Sequence, residues 1–192
     1  MRKSLTRMTA ISIKNMVCPR CITAVRAILA SMGFTAIDVT LGEAVVADEL
    51  TAGQLESLAA ALRDEGFELL DDPLSCLVEQ IRIGVMRWVR MIGNRPKLSD
   101  YISDIAHRDY SSLSKLFSQV KGVTIEHFAI QHRIEYAKEL LSYSRDSVSE
   151  IAYTLGYSSP AHLTSQFRQL TGMSPRTFRE MKHKTRLPLD EI

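Results

Sequence analysis

Residues 147–172, SVSEIAYTLGYSSPAHLTSQFRQLTG, decide how the chain is read. Ser147 followed three residues on by Glu150 is a capping box, in which the serine hydroxyl takes the third helical amide and the glutamate returns to the cap amide. It predicts a short helix carrying Ile151 and Leu155, ended by Gly156, which supplies the positive φ that a helix C-terminus favours. A tight turn through Tyr157 and Ser158 follows. Ser159 then stands as an N-cap with Pro160 at the first helical position, opening a second helix that packs through Leu163, Phe167 and Leu170. Helix, short glycine-containing turn, helix is the helix-turn-helix pattern, whose second helix can enter a major groove.

The same unit occurs earlier, at an offset of 50 residues. Ser99, Leu113, Phe117, Gln119, Gly122 and Phe128 recur as Ser149, Leu163, Phe167, Gln169, Gly172 and Phe178. Asp100, Ile105, Ser114, Val120 and Thr124 have conservative partners in Glu150, Leu155, Thr164, Leu170 and Ser174. One structural unit is used twice, at 98–122 and 148–172. The first copy keeps a cap residue in Asp109 but has Ala106 where the turn glycine would sit, so a looser turn is expected there. Between the copies, Thr124 to Tyr143 reads as one helix with Ile130, Ile134, Ala137 and Leu141 on one face. Its length of roughly 30 Å is close to the roughly 34 Å between successive major grooves on one side of B-DNA. Upstream, Leu77 to Ile92 reads as an opening helix broken by Gly93-Asn94-Arg95-Pro96.

These residues carry a resemblance. Ser149-Glu150-Ile151-Ala152, Leu155-Gly156-Tyr157-Ser158-Ser159, Phe167-Arg168-Gln169 and Thr171-Gly172-Met173-Ser174-Pro175-Arg176-Thr177-Phe178 match the second-unit signature of the AraC/XylS family of bacterial transcription regulators. Residues 77–183 resemble that family's DNA-binding domain. The resemblance implies an all-α domain of seven helices with two helix-turn-helix units reading promoter DNA from adjacent major grooves. It places base-facing positions at Ser111, Ser114 and Lys115 in the first unit and at Ala161, His162 and Ser165 in the second. Of these only Lys115 is a strong guanine reader. Phosphate contacts by Lys121, Arg168, Arg176 and helix N-termini are therefore expected to supply much of the affinity.

The N-terminal part alternates between strand and helix. Ile11 and Ile13 alternate as a strand; Ile22, Val25, Leu29 and Met32 follow at helical spacing up to Gly33; Ile37, Val39 and Leu41 alternate again. After Gly42 comes a strand through Ala44 to Ala47, then a capping box of Thr51 with Gln54 and a stripe of Leu55, Leu58, Ala59 and Leu62. Gly66 closes this second helix before Phe67 and Leu69. The order β-α-β-β-α-β predicts a ferredoxin-like α+β domain over residues 8–72. Asp71-Asp72-Pro73 marks its end, an all-α domain fills 74–184, and 185–192 form a tail.

Cys18-Pro19-Arg20-Cys21 falls between the first strand and first helix. With Cys18 as N-cap and Pro19 at the first helical position, both thiols lie at the positive end of the helix dipole, beside Arg20, which lowers thiol pKa values. Two thiolates on one loop suit soft, low-coordinate ions, Cu(I) above all and Zn(II) or Hg(II) with extra ligands. Residues 10–72 resemble the heavy-metal-associated domain of copper chaperones and metal-pumping ATPases, and Met16-Val17-Cys18-Pro19-Arg20-Cys21 matches its M-x-C-x-x-C loop. The resemblance implies Cys18 and Cys21 as metal ligands, Met16 as a buried anchor and Phe67 beneath the site. Asn15 stands where the family usually has glycine, and Pro19 is unusual inside the loop. A C-P-x-C pair is also the dithiol of thioredoxin-like oxidoreductases, though their Trp-rich strand is missing here. The pair would otherwise serve only packing in a dimerisation module. Cys76 reads as a small buried hydrophobe, and His107, His127 and His132 as core-edge or solvated residues.

Composition frames these readings. The chain has 192 residues, 45% apolar and 24% charged, with a net charge of +2, near the averages for globular proteins and far from disordered, collagenous or coiled-coil compositions. Residues 1–73 hold 7 Lys and Arg against 10 Asp and Glu, while residues 74–192 hold 17 against 12, which suits a basic module that meets polyanions. No apolar run approaches the roughly 18 residues of a membrane span. With no apolar segment behind Met1, Arg2 and Lys3, a cytoplasmic location is expected. No Walker loop, paired carboxylates or nucleophile with a base points to catalysis. The expectation is a DNA-binding transcription regulator responsive to a soft metal ion, with promoter DNA and RNA polymerase as partners, room for a homodimer, and no membrane. The other readings are a thiol-redox-responsive regulator, or a metal or electron carrier whose helical half is a docking module.

Overall fold

In this computed structural model residues 8–47, 49–181, 186 and 189 are described. The chain divides into two compact units, residues 1–83 and 84–192. The first is built on β1 (Thr9–Lys14), α1 (Pro19–Ser31), β2 (Ala36–Thr40), β3 (Glu43–Val46), α2 (Ala52–Asp64) and β4 (Glu68–Leu70). The strands form one antiparallel sheet in the order β2-β3-β1-β4. Ile11 lies opposite Ala44 and Ile13 opposite Leu69. Because side chains alternate along a strand, Ile11, Ile13, Ala44 and Val46 all turn inward, where they meet Val25 and Leu29 of α1 and Leu58 and Leu62 of α2. Burying each of the larger apolar side chains stabilises the unit by about 1.5–3 kcal/mol. The Thr51–Gln54 capping box forms as expected.

Asp71-Asp72-Pro73, expected to be a domain joint, is the start of a helix. The Asp72 carboxylate accepts the Ser75 amide at 2.8 Å, and Pro73 takes the first helical position, where its missing N–H costs nothing. The resulting α3 runs Pro73–Val89 rather than Leu77–Ile92, and the division between the two units falls within it. At its C-terminal end the Arg90 and Met91 amides turn back to the Arg87 and Trp88 carbonyls at 3.1 and 3.2 Å, and Arg95 donates to the Val89 and Met91 carbonyls at 3.0 and 2.6 Å.

Six further helices follow among the described residues: α4 (Leu98–Ala106), α5 (Tyr110–Lys121), α6 (Ile125–Tyr143), α7 (Val148–Thr154), α8 (Pro160–Thr171) and α9 (Pro175–Glu180). The 50-residue offset is visible in their starts, since α4, α5 and α6 begin at 98, 110 and 125 and α7, α8 and α9 at 148, 160 and 175. Both second helices end on a left-handed glycine, Gly122 at φ 71° and Gly172 at φ 76°. The first unit's turn is not looser than the second's. Without a glycine at 106, α4 runs on through Ala106 and the left-handed position passes to His107 at φ 50°, whereas in the second unit Gly156 takes it at φ 76°. Leu163 and Phe167 are fully buried, but Leu170 is 38% exposed and its counterpart Val120 49%. Met173, past the glycine, packs against the core instead.

Among the described residues no helix is long and apolar enough to cross a membrane. The tail expected at 185–192 lies outside the described residues except for Arg186 and Leu189.

Candidate nucleic-acid interface

Each second helix begins on a side-chain cap. In α5 the Asp109 carboxylate accepts the Ser112 amide at 3.1 Å and the Ser111 hydroxyl, and the hydrogen bonds from Ser111 and then Ser112 hold its carboxyl below the usual range. In α8 the Ser159 hydroxyl accepts the His162 amide at 3.2 Å. Caps of this kind fix the entry angle of a helix and satisfy amides that would otherwise be orphaned. Between the units, α6 has 19 residues, about 28 Å at 1.5 Å per residue.

Opposite the buried stripe of Leu163 and Phe167, α8 presents Ala161, His162, Ser165 and Arg168, all exposed. Ala161, Ser165 and Arg168 line an open concavity of about 560 Å³ together with Thr164 and Gln169. His162 lies outside it. Its ring meets Tyr157 edge-on at 5.2 Å, and its Nδ1 is 3.4 Å from the Ser158 hydroxyl, so the turn itself fixes the side chain. On α5, Ser111 and Lys115 are exposed, while Ser114 and Lys121 are half-buried. Since Ser111 donates to the cap carboxylate, its hydroxyl serves α5 itself. Arg176 is exposed at the start of α9, with its Nε donating to Glu180 at 3.2 Å.

Sequence reading passed over Gln169 and Thr164. The signal for Gln169 was present: it stands four residues after Ser165 and eight after Ala161, and it recurs as Gln119. Glutamine is a residue that can read adenine with two hydrogen bonds. Tyr110, also passed over, donates to the Glu126 carboxylate at 2.6 Å and ties α5 to α6; burial, and then that bond, push its phenol well above the ordinary range.

In the N-terminal unit Cys18 is the N-cap residue of α1, in extended conformation and without a side-chain cap bond, and Pro19 follows at the start of the helix. The Cys18 and Cys21 sulfurs are 3.5 Å apart, and both residues are half-buried. Burial pushes the Cys18 thiol up, but hydrogen bonds from Cys21 and Arg20 and the Arg20 charge outweigh it, leaving the pKa below its ordinary value. Met16 and Phe67 are buried in this unit's core. Asn15, in place of glycine, has φ 71°, a conformation asparagine tolerates better than most residues, and its side-chain amide donates to the Gly66 carbonyl at 3.0 Å. Among the described residues no group of three or more His, Cys, Asp or Glu side chains is placed to hold a metal. Cys76 is half-buried, its sulfur 3.9 Å from the Leu70 carbonyl. His132 is buried against Phe128, with ring centroids 4.4 Å apart.

Residues 102–181 match the family described as a helix-turn-helix domain. The chain is 35% identical over 83 residues to an uncharacterized HTH-type transcriptional regulator of Staphylococcus aureus strain MSSA476, covering 43% of this chain and 11% of that protein. It is 36% identical over 75 residues to the uncharacterized HTH-type transcriptional regulator YisR of Bacillus subtilis, 39% of this chain and 25% of that one. It is 28% identical over 80 residues to the bifunctional transcriptional activator/DNA repair enzyme AdaA of Bacillus subtilis, 42% and 38% of the two chains. The chain thus spans well under half the length of these relatives. Among solved structures, the C-terminal domain of AraT, a response regulator from Geobacillus stearothermophilus, shares the fold with a TM-score of 0.51 at 22% identity, over 59% of this chain and 92% of that one. An AraC-type DNA-binding-domain regulator from Chromobacterium violaceum shares it at 0.50 and 20% identity, over 57% and 96%. Residues 102–181 therefore match a helix-turn-helix domain, and the helical part of the chain shares the fold of these two solved structures.

Proposed function

We propose that the chain is a transcription regulator that docks α5 and α8 into successive major grooves of promoter DNA. The observation that carries this reading is the duplication. Two capped second helices, each ending on a left-handed glycine, recur at one offset on either side of a helix about as long as one turn of B-DNA. Ala161, Ser165, Arg168 and Gln169 supply the second unit's surface, with short side chains that let the helix backbone approach the bases and Arg168 available for phosphate or guanine. Ser111, Ser114 and Lys115 supply the first. Such a regulator acts in the cytoplasm and meets RNA polymerase at the promoter. Hydroxyl-radical footprinting on a duplex selected by the chain from a random pool tests the reading. Two protected segments about 10 base pairs apart are expected, and protection of a single groove overturns it.

The N-terminal unit, in this proposal a ferredoxin-like module of the heavy-metal-associated kind, supplies the responsive part. The donor set fits a soft ion: two thiols 3.5 Å apart on one loop offer the thiolate ligands that soft ions take. Cys18 and Cys21 would hold it, and Met16 and Phe67 keep the loop anchored beneath them. A bound ion supplies a cross-link between the loop and the first turn of α1.

A further inference from the structure

We infer that Arg95 is a positioning residue for α8: its guanidinium locks the turn of the second helix-turn-helix unit to the segment that follows α3. The inference rests on the DNA-binding reading above and adds a role for a residue outside both units. Arg95 Nη1 donates to the Leu155 carbonyl at 2.8 Å, and Nη2 lies 3.4 Å from the Thr154 carbonyl. These are the last carbonyls of α7, which have no intrahelical donor. From the other side Nη2 donates to the Val89 and Met91 carbonyls. One rigid five-donor fork therefore joins the end of α3 to the turn between α7 and α8, across 60 residues of sequence.

The fork is itself held. Its plane lies over the Trp88 ring at 4.9 Å, and the Trp88 indole donates to the Pro96 carbonyl at 2.9 Å. Arg133 of α6 covers the same ring at 4.6 Å and reaches the Tyr157 ring at 5.6 Å, and Tyr157 is the turn residue against which His162 stands. Gly156 has a second constraint beyond its φ of 76°. A Cβ there would lie 2.9 Å from Arg95 Nη1, so the glycine leaves the space that the guanidinium occupies. The first unit's turn is built differently, with its left-handed residue at His107, and the hydrogen bonds of Arg95 go to the end of α3 and to the second unit's turn. The lock therefore acts on α8 and not on α5.

The test uses the full chain. In hydrogen–deuterium exchange without DNA, Arg95→Ala should speed exchange at least fivefold in peptides covering 153–160 and leave peptides covering 105–110 unchanged. On a duplex selected by the parent chain, the variant should lose protection in the groove taken by α8, keep it in the groove taken by α5, and bind about tenfold more weakly. The dependence of log K on log salt should flatten by about 0.9 for each phosphate that is no longer neutralised. Arg95→Lys, which keeps a charged donor for the α7 carbonyls, should recover part of both effects and guards against a variant that merely unfolds. Equal acceleration in both turns, or an unchanged footprint beside a parent that protects two grooves, overturns the positioning role. A parent that protects one groove while Arg95→Ala still loosens 153–160 alone sinks the two-groove reading and leaves the lock standing.

Discussion

Phe117 of α5 meets Phe128 of α6 edge-on, with ring centroids 5.3 Å apart, and fifty residues later Phe167 of α8 meets Phe178 of α9 at 5.6 Å. The pair fastens each second helix to the helix that follows it. All four rings are at most 3% exposed, so truncation removes both the transfer energy and the edge-to-face interaction and leaves a cavity. Phe117→Ala and Phe167→Ala should each cost about 3–5 kcal/mol. Denaturant melts of the two variants check this, and a parent-like midpoint for either would show that its ring does not anchor the unit.

The exposed faces should separate into two kinds of DNA contact. Lys115→Ala should weaken binding to a selected duplex by about 1–3 kcal/mol and relax one base position. Arg168→Ala should weaken all sequences alike and lower the salt slope by about 1. Gln169→Ala, in the concavity beside Arg168, should relax a second position, read as loss of a preferred adenine. Binding to a set of single-base variants distinguishes the three, and an identical profile for all of them would mean that none reads sequence.

Both turns should favour glycine at their left-handed position. His107 holds φ 50° with a side chain, whereas Gly156 holds φ 76° without one. A non-glycine residue in the left-handed region costs about 1–2 kcal/mol, so His107→Gly should be neutral or stabilising by up to about 1 kcal/mol. Gly156→Ala should cost more than that backbone term alone, because its Cβ also meets Arg95. Thermal melts compared with the parent give both signs.

The helix caps imply a pH dependence. Hydrogen bonds from Ser75, from Ser111 and Ser112, and from Ser147 hold the Asp72, Asp109 and Glu150 carboxyls respectively below their ordinary values. A carboxyl with a lowered folded-state pKa contributes stability that is fully present above the unfolded pKa and is lost as pH falls through the folded value. Stability should therefore decline below about pH 4. Asp109→Asn keeps a cap that cannot titrate, so its melts should fall less steeply with acid than the parent's. A parallel decline would show that this cap carries no proton linkage.

How far these features can be read in advance depends on how local their causes are. Capping boxes, the Pro160 start and the glycine stops act within four residues, so α7, α8 and the duplication are legible in the sequence. His107 is not, because a missing glycine at 106 has two outcomes, an open turn or a side chain in the left-handed region, and tertiary packing selects between them. Asp72 reads as a linker residue because a carboxylate before proline both breaks a preceding element and caps a following one. Arg95 reads as part of a helix break. Two of its acceptors are backbone carbonyls about 60 residues away, and carbonyls leave no mark in a sequence.

The cysteine loop carries the last prediction. Only Cys18 and Cys21 offer thiolates there, and among the described residues no third His, Cys, Asp or Glu completes a cluster. Zn(II) would have half of its usual four protein ligands, whereas two thiolates suit a soft, low-coordinate ion. One Cu(I) per chain should therefore bind more tightly than Zn(II), as measured by competition with a chromophoric chelator and by native mass spectrometry. Cys18→Ser with Cys21→Ser should abolish binding and leave the melting temperature of the metal-free chain within a few degrees of the parent, since Ile13, Val25, Leu29 and Leu58 are the buried core of that unit and Cys21, only partly buried, packs against it. A ligand shifts an equilibrium only through different affinities for its two states. Cu(I) must then change the affinity of the parent for its selected duplex and leave the double Ser variant unaffected. Equal DNA affinities with and without Cu(I) in both proteins would rule out metal as the signal, and a response to disulfide formation alone would assign the pair to redox sensing.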